Sequence, residues 1–539
     1  MQIYSFSPFG YEGSLVTVEV DLRRGIPAVD LVGLADSAVK EARERMHAAI
    51  RNSGFDFPPE RVLISLSPAD LRKEGAGFDL PIALGVLYAG KNGAMADSEE
   101  ASTVLDRDSK FISEDILIMG ELELSGKVRP VKGVHAAVST ASMAGIRKCI
   151  VPSANATEAR EVSGMQVFGA DSLSDAFSAL QNPEVFTMNK KAALAEEDLS
   201  DENVDIVEGV TFSKVVAGFE FSEIKGQQKL VRALQIAACG GHNLIAVGAP
   251  GCGKTMAIQK MPALMPLLTL EEAQSVTRIY SIAGLLQPNQ PLVRVAPFRM
   301  PHQTATIEGI CGGGVNCRPG EISLSHNGVL FLDEAAEFRS SVLQMLRVPL
   351  ESGHITLCRA GRSTVFPASF QLVMASNPCP CGNYGSKTKI CLCSARSIEL
   401  YWKKFSGPLL DRVDLRVKIE NESDKTDSVS TAELRKDIAR GVKIQRSRQG
   451  KKNAYLTPTE ILDYCKVSPE IQQFINTSCE RYNLSPRAVS SCLKVSRTIA
   501  DMEGSSEIKM EHIQEAISYR KEFADEDYKE KRLSVKNNL

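Results

Sequence analysis

Apolar positions along this chain follow two different rhythms. In SLVTVEVDL they alternate with polar residues, the period-2 pattern of a half-buried strand. RVLISLS reads as another strand. Between the two, LADSAVKEARERMHAAIRNSG carries Val39, Ala42, Met46 and Ile50 at helical spacing, and Gly54 stands where a helix stop is expected. Strand and helix signals recur at ILIMGELEL, GVHAAVSTASMAG and KCIVPS, so residues 1–185 predict a mixed α/β domain. From residue 210 to 426 the rhythm changes. HNLIAVG, NGVLFLDE and FQLVMASN are short unbroken apolar runs, as expected for strands buried on both faces of a parallel sheet. Residues 427–522 read as all-helical, and 523–539 as a charged tail. Between the halves, 186–209 is acidic and without a strong period. It reads as an exposed linker, with an acidic surface helix as the alternative. The expected fold class is therefore α/β multidomain.

Composition narrows the setting. At 539 residues, roughly two to four domains are expected. The 43% hydrophobic and 24% charged residues are ordinary for a soluble globular protein. No apolar run approaches the roughly 20 residues of a membrane span, and MQIYSFSPFG lacks the marks of a secretory signal, so a cytoplasmic protein with no membrane partner is expected. In that compartment 13 cysteines do not suggest a disulfide framework, and where they cluster a metal is the better reading. The net charge of -3 does not advertise nucleic-acid binding, which must come from local basic patches.

GAPGCGKT, comprising Gly248, Ala249, Pro250, Gly251, Cys252, Gly253, Lys254 and Thr255, fits the phosphate-binding pattern G-x-x-x-x-G-K-[ST] in full. It follows the strand-like NLIAVG and opens the helix-like KTMAIQKMPALM, the context that the motif requires. Glycines let backbone N–H groups turn toward phosphate oxygens, and the helix N-terminus adds its positive dipole end. Lys254 is then expected on the β- and γ-phosphates of ATP and Thr255 on Mg²⁺. VLFLDE supplies the partner carboxylates: Asp333 for the metal ion and Glu334 to polarise the attacking water. Asn377 ends the strand FQLVMASN and can hydrogen-bond that water or the γ-phosphate; a turn-forming residue before Pro378 is the alternative. Arg412, in SGPLLDRVDL, can serve a nucleotide in a neighbouring subunit, or form a surface ion pair with Asp411 or Asp414. Arg487 begins a helix in the all-helical region and can likewise reach phosphate.

Two stretches could meet DNA. GHITLCRAGRSTVFPASFQL predicts a hairpin with strands at Ile355–Leu357 and Ser363–Phe366 and with Arg359 and Arg362 at its tip. LRKDIARGVKIQRSRQGKK carries Lys436, Arg440 and Lys443 on one helical face. A solvated turn and a solvated face are the respective alternatives. Residues 379–393 hold Cys379, Cys381, Cys391 and Cys393, with Gly382 and Gly385 supplying turns. Four thiolates suit structural zinc, although C-x-C is a less usual spacing; metal-free thiols or a redox switch remain open. Lys387 and Lys389 at the tip of that loop could reach DNA.

Together these motifs resemble the ComM/YifB family of Mg-chelatase-like AAA+ ATPases. The likeness spans nearly the whole chain, through VEVDLRRGIPAVDLVGLADSAVKEARERMHAAIRNSGF, KEGAGFDLPIALG, IKGQQKLVRALQIAACGGHNL, PFRMPHQT, RPGEISLSHNGVLFLDE, NPCPCGNYG, SGPLLDRVDL, RAVSSCLKVSRTIADMEG and HIQEAISYR. It implies a bacterial homo-hexameric ATPase acting on single-stranded or branched DNA. Branch migration during natural transformation, alongside recombination proteins, is the implied task. Asn377 resembles sensor 1, Arg412 the trans-acting arginine finger and Arg487 the sensor-2 arginine, with Lys225, Gly226 and Gln227 beside the adenine. Residues 297–316 are similar to the insert that faces the central channel, and 427–522 to a helical lid. Gln303 stands where the family usually has histidine, and DEAAEF where it has D-E-L-P-E-F. Residues 1–185 are similar to a Lon protease domain, yet Gly77 falls at the serine nucleophile and His135 at the catalytic lysine, so proteolysis is not expected. The competing class is an ATP-dependent protein remodeller similar to the magnesium-chelatase motor subunit, and a third is a purely regulatory nucleotide switch. Intact Lys254, Asp333, Glu334 and Arg412 argue against the switch.

Overall fold

A computed structural model describes residues 2–34, 36–69, 71, 73, 75–96, 115–188, 204–287, 289–314, 317–359, 362–385, 389–419 and 428–521. The N-terminal unit is an eight-stranded sheet. Its strands run, edge to edge, Thr187–Met188, Gln166–Ala170, Lys148–Pro152, Ile116–Ile118, Ile3–Ser7, Ser14–Arg23, Arg61–Ser67 and Val29–Val32. Ile116, Ile118 and Ile150 join one apolar cluster with Val39, Met46, Leu84 and Phe177. Leu117, Cys149 and Val151 join another with Val134, Ala137 and Ala156. The alternation follows from the two-residue period of a strand, and it sandwiches the sheet between two helical layers. The helix Ser37–Asn52 starts on Asp36, whose carboxylate accepts from the backbone N–H of Val39. ILIMGELEL is not one strand: after Ile118 the chain leaves the sheet, and Glu121–Leu122 pairs instead with Val128–Arg129. Gly77 lies in a short 3-10 turn, and His135 is buried with neither ring nitrogen hydrogen-bonded.

The second unit holds a five-stranded, all-parallel sheet. Its order is Phe298–Arg299, Val329–Leu332, Gln371–Ser376, Leu244–Gly248, Leu415–Ile419. Leu244, Ala246, Phe331, Val373 and Val417 face one core. Ile245, Val247, Leu330, Leu332, Leu372 and Met374 face the other. Burial on both faces explains why these strands show no polar alternation. The helices Thr431–Gln449, Pro458–Tyr464, Pro469–Tyr482, Pro486–Glu503 and Met510–Lys521 form the C-terminal unit. Leu434, Ile438, Ile499 and Ile513 share the first of these cores, so this unit is continuous with one face of the sheet.

The expected linker at 186–209 is shorter than read. Thr187–Met188 closes the N-terminal sheet, and Val204–Val207 pairs with Val210–Ser213 in a hairpin. Asp205 on that hairpin ion-pairs with the buried Arg435 at 2.9 Å, which ties the hairpin to the C-terminal unit. Acidic composition hid these strands because their charges are used as partners. Residues 189–203 and the tail at 523–539 lie outside the described residues.

The N-terminal unit meets the second along helix Leu270–Ala283, where Ser281 Oγ donates to Glu158 at 2.9 Å and Gly133 N–H donates to Ser281 O at 3.0 Å, and through one loop. Tyr11 N–H donates to Thr364 Oγ1 at 3.2 Å, its ring packs edge-on to Phe366, and the Arg278 guanidinium lies 4.7 Å from the ring centroid. Arg278 also donates to the carbonyls of Tyr11 and Glu12. Beside them Gly10 has φ +61, and a Cβ there would sit 1.8 Å from Thr364 Oγ1. Gly10→Ala therefore combines left-handed backbone strain with a clash. It is expected to weaken the junction by on the order of 1–3 kcal/mol, read as a lowered thermal midpoint and faster proteolysis; a midpoint equal to the parent's would contradict this contact.

Candidate functional site

The parallel sheet gathers the residues expected to bind phosphate at one edge. Gly248 ends its strand and the loop turns over Gly251 at φ +78 and Gly253 at φ +83, a region open to glycine. Nothing lies within 4 Å of a Cβ built on either glycine, so positive φ and not crowding calls for glycine there. The helix that follows is Lys254–Gln259, shorter than the sequence suggests; Pro262 converts the continuation into a 3-10 turn at Met261–Leu264. Lys254 is buried, and its ammonium donates to Gly248 O at 2.7 Å, Ala249 O at 2.9 Å and Asn377 Oδ1 at 3.3 Å. Those acceptors offset the cost of burying its charge. Thr255 Oγ1 donates to Asp333 Oδ1 at 3.1 Å. Ser376 pairs with Val247, and Leu332 with Met374, so Asn377, Asp333 and the loop leave the sheet at the same edge. Glu334 is exposed at φ +47, a strained position for a residue with a side chain, held where the strand breaks into a 3-10 turn. A hydroxyl beside a half-buried carboxylate is an oxygen donor set that suits Mg²⁺.

Gln227 Nε2 donates to Cys252 O at 3.0 Å and so anchors the loop from Lys225–Gln227. A cavity of about 280 Å³ opens next to Gln227, lined also by Ile224, Val231, Val429 and Leu434. Val429 and Leu434 come from the C-terminal unit and carry no signal in the sequence.

Arg412 and Arg487 lie at the opposite edge. Leu244 pairs with Leu415 and Gly248 with Ile419, so Arg412 precedes the start of a strand whose end is level with the phosphate loop. At about 3.3 Å per residue that strand alone separates the two by roughly 13 Å. Arg412 donates to Pro408 O at 2.7 Å and to Glu351, and Arg487 donates to the same Glu351 at 2.6 Å. Neither Asp411 nor Asp414 is the partner: Asp411 faces Arg416 at 4.0 Å. Asp414 meets the His242 ring at 3.2 Å and accepts from Ser491. Glu351 was invisible in the sequence, because a lone carboxylate in PLESGH announces nothing.

The four cysteines come together. Cys379 Sγ lies 3.4 Å from that of Cys381 and 3.6 Å from that of Cys391, Cys381 and Cys391 are 3.6 Å apart, and all four ligand atoms, Cys393 included, fall within 4.8 Å of one another. Tetrahedral Zn–S bonds near 2.3 Å require sulfurs about 3.8 Å apart, so the donor set fits zinc. A backbone N–H from Asn383, and then the Cys379 thiol, bring Cys381 down to about 6. The knuckle rests on the phosphate loop: a Cβ on Gly382 would come within 2.5 Å of Pro250 Cδ. Its root is pinned where Trp402 Nε1 donates to Pro378 O at 3.1 Å.

Of the basic residues, Arg359 and Arg362 form the register pair next to the hairpin turn, in strands His354–Arg359 and Arg362–Pro367 that are longer than expected. Lys436, Lys443 and Lys389 are exposed. Arg440 is half-exposed and donates to Met502 O at 2.9 Å, with Glu208 and Asp437 nearby to offset its charge. Lys387 lies outside the described residues. Gln303 is half-buried, and its Oε1 is without a hydrogen-bond partner.

Fold and site together define an AAA+ nucleotide-binding protein of the magnesium-chelatase type. Residues 220–427 match the family model described as magnesium chelatase, subunit ChlI, residues 18–155 match subunit ChlI of Mg-chelatase, and 428–520 match its ChlI C-terminal region. The chain is 39% identical over 529 residues to competence protein ComM of Haemophilus influenzae, covering 96% of this chain and 97% of that protein. It is 36% identical over 525 residues to YifB of Escherichia coli, covering 96% of each. DNA repair protein RadA of Escherichia coli shares 38% identity over 71 residues, 13% of this chain and 15% of RadA. The chain belongs to the ComM/YifB family of Mg-chelatase-like proteins. Among the described residues no helix is long and apolar enough to cross a membrane.

Asp414 links the two parts of the far edge. Burial pushes its carboxyl up, but His242, Arg520 and Ser491 outweigh burial and hold it below the ordinary range. A depressed folded value contributes stability above the unfolded value of about 3.9 and loses it as pH falls through the folded one. Asp414→Asn is expected to lower the thermal midpoint at pH 7, and the gap to the parent should close in acid; a gap independent of pH would contradict the charge-based account.

Proposed function

We propose that this protein is a ring-forming ATPase that drives a DNA strand through its centre during recombination. The observation that carries the reading is the division of the ATP site between opposite edges of one parallel sheet. Lys254, Thr255, Asp333, Glu334 and Asn377 share one edge, and Arg412 and Arg487 the other. The arginines act only on a nucleotide held by a neighbour, and such a head-to-tail contact gives a ring when its rotation closes. A hexamer is the ring that the family resemblance implies. Within the site, the loop N–H groups and Lys254 bind the phosphates of ATP, and Lys225–Gln227 lie by the adenine, next to the cavity. Glu334 accepts a proton from water as its oxygen attacks the γ-phosphorus, the bond to the bridging oxygen of ADP breaks, and Asn377 aligns that water. Thr255 and Asp333 would hold Mg²⁺, which when bound neutralises charge on the β- and γ-phosphates. Arg412 and Arg487 from the neighbour stabilise the charge that develops.

DNA as substrate is supported by the DNA repair protein RadA, which matches 13% of this chain, and by the hairpin that ends in Arg359 and Arg362. A ring would bring several such tips, with the exposed Lys436, Lys443 and Lys389, near one strand. Natural transformation is the process that the ComM relative suggests, in the cytoplasm. Zinc in the four-cysteine knuckle would stiffen the segment that joins Asn377 to the arginine edge while pressing on Pro250.

Lys254→Ala is expected to abolish ATP binding, and Glu334→Gln to retain binding while turnover falls by at least about a hundredfold. Arg359→Ala with Arg362→Ala should remove stimulation by branched DNA, with ATP affinity as the control. Stimulation by unfolded protein instead of DNA would favour the remodelling alternative. Metal analysis of the purified protein should find one zinc per chain, reduced in Cys391→Ser and Cys393→Ser; protein that folds and turns over ATP without stoichiometric metal would sink the zinc assignment.

A further inference from the structure

We infer that Glu351 is a positioning residue that ties the paired arginines of one subunit to the hairpin expected to touch DNA. The inference deepens the cross-subunit reading above and rests on it. One carboxylate serves both cations: Arg412 Nη2 donates to Oε2 and Arg487 Nη2 to Oε1. Two guanidiniums brought this close repel unless an anion lies between them, so Glu351 makes a single cationic unit out of residues from the sheet edge and from the C-terminal helices. The Arg412 side chain is 11% exposed, whereas Glu351 and Arg487 are 55% and 47% exposed. The unit therefore has a buried root and an open face, from which a neighbour's phosphate can be met.

Glu351 is also mechanically part of the hairpin. It sits in the one-turn helix Pro349–Ser352, and the strand His354–Arg359 begins after a single residue, Gly353 at φ +69. Ser352 Oγ accepts from His354 N–H at 3.3 Å and lies 3.0 Å from Val348 O, which fastens helix to strand. Ala368 N–H donates to Gly353 O at 2.8 Å, so the returning strand is held at the same point. No flexible spacer intervenes. A displacement of the hairpin shifts Glu351, and Glu351 carries Arg412 and Arg487 with it. The N-terminal unit, through Tyr11 and Thr364, holds the other side of the same hairpin.

The test is steady-state ATP turnover of the full chain with and without branched DNA, for the parent, E351A, E351Q, R412A and E351A/R412A. In E351A the DNA-stimulated kcat should fall about tenfold or more, while KM for ATP stays within about twofold. E351Q, whose amide oxygen still accepts from an arginine, should recover part of the rate. Adding E351A to R412A should cost little more, because both act through one unit. A normal kcat in E351A beside a slow R412A overturns the role of Glu351 alone. Parent-like turnover in R412A removes the cross-subunit reading and this inference with it. Multiplicative losses in the double variant, or an unchanged DNA stimulation factor in E351A, also overturn it. Unchanged thermal midpoints show that the variants fold.

Discussion

Every strand of the five-stranded sheet points the same way, and the chemistry of the molecule is laid out by that direction. Strand Leu244–Gly248 hands its C-terminal end to the phosphate loop; its neighbours end on Asp333 and Asn377. Strand Leu415–Ile419 lies level with it and in the same sense, so Arg412, just before that strand, is carried to the far edge. Antiparallel pairing of this one strand would have put the arginine beside its own lysine. In the proposed mechanism the parallel register leaves half a site at each edge, and that polarity makes association between copies a chemical requirement of turnover.

Other parts of the fold brace one edge or the other. At the loop edge, Gly382 of the cysteine knuckle leaves no room for a side chain against Pro250, while Gln227 holds the loop from the opposite direction. At the arginine edge, half-buried Asp414 joins the strand to the C-terminal helices through Ser491 and Arg520 and also meets His242, and those helices deliver Arg487 to Glu351. The hairpin is gripped partway along its returning strand by Tyr11 of the N-terminal unit, at Thr364 and Phe366. That unit has Gly77 and His135 where the Lon resemblance has its nucleophile and lysine. Burial, then the nearby Arg278 charge, keeps His135 neutral by lowering it to about 4. This domain touches the hairpin through Tyr11 and the helix Leu270–Ala283 through Glu158 and Gly133.

Much of this was legible beforehand, for reasons that are local. A phosphate loop needs glycines at fixed spacing after a strand, so Gly248–Thr255 announced itself. The apolar runs around Val329 and Val373 exposed the parallel sheet, because strands buried on both faces lose their alternation. The hairpin and the all-helical character of residues 427–522 were readable from the sequence. Errors arose where charge served structure. Asp205 sat in an apparent acidic linker but pairs with buried Arg435.

By itself the sequence determined the strand, loop and helix types, the identity of the phosphate-binding and acidic residues, and the presence of four cysteines in one short segment. These depend on spacing within a few turns of chain. Only the tertiary structure decided which edge each residue reaches, that Arg412 and Arg487 share Glu351, that the cysteine sulfurs converge, and that Tyr11 rests on Thr364. Arg487 and Glu351 are 136 residues apart, and Tyr11 and Thr364 are 353 apart. Contacts at such separations leave no periodic trace in the chain, because they are set by how the sheet is ordered and what packs across it.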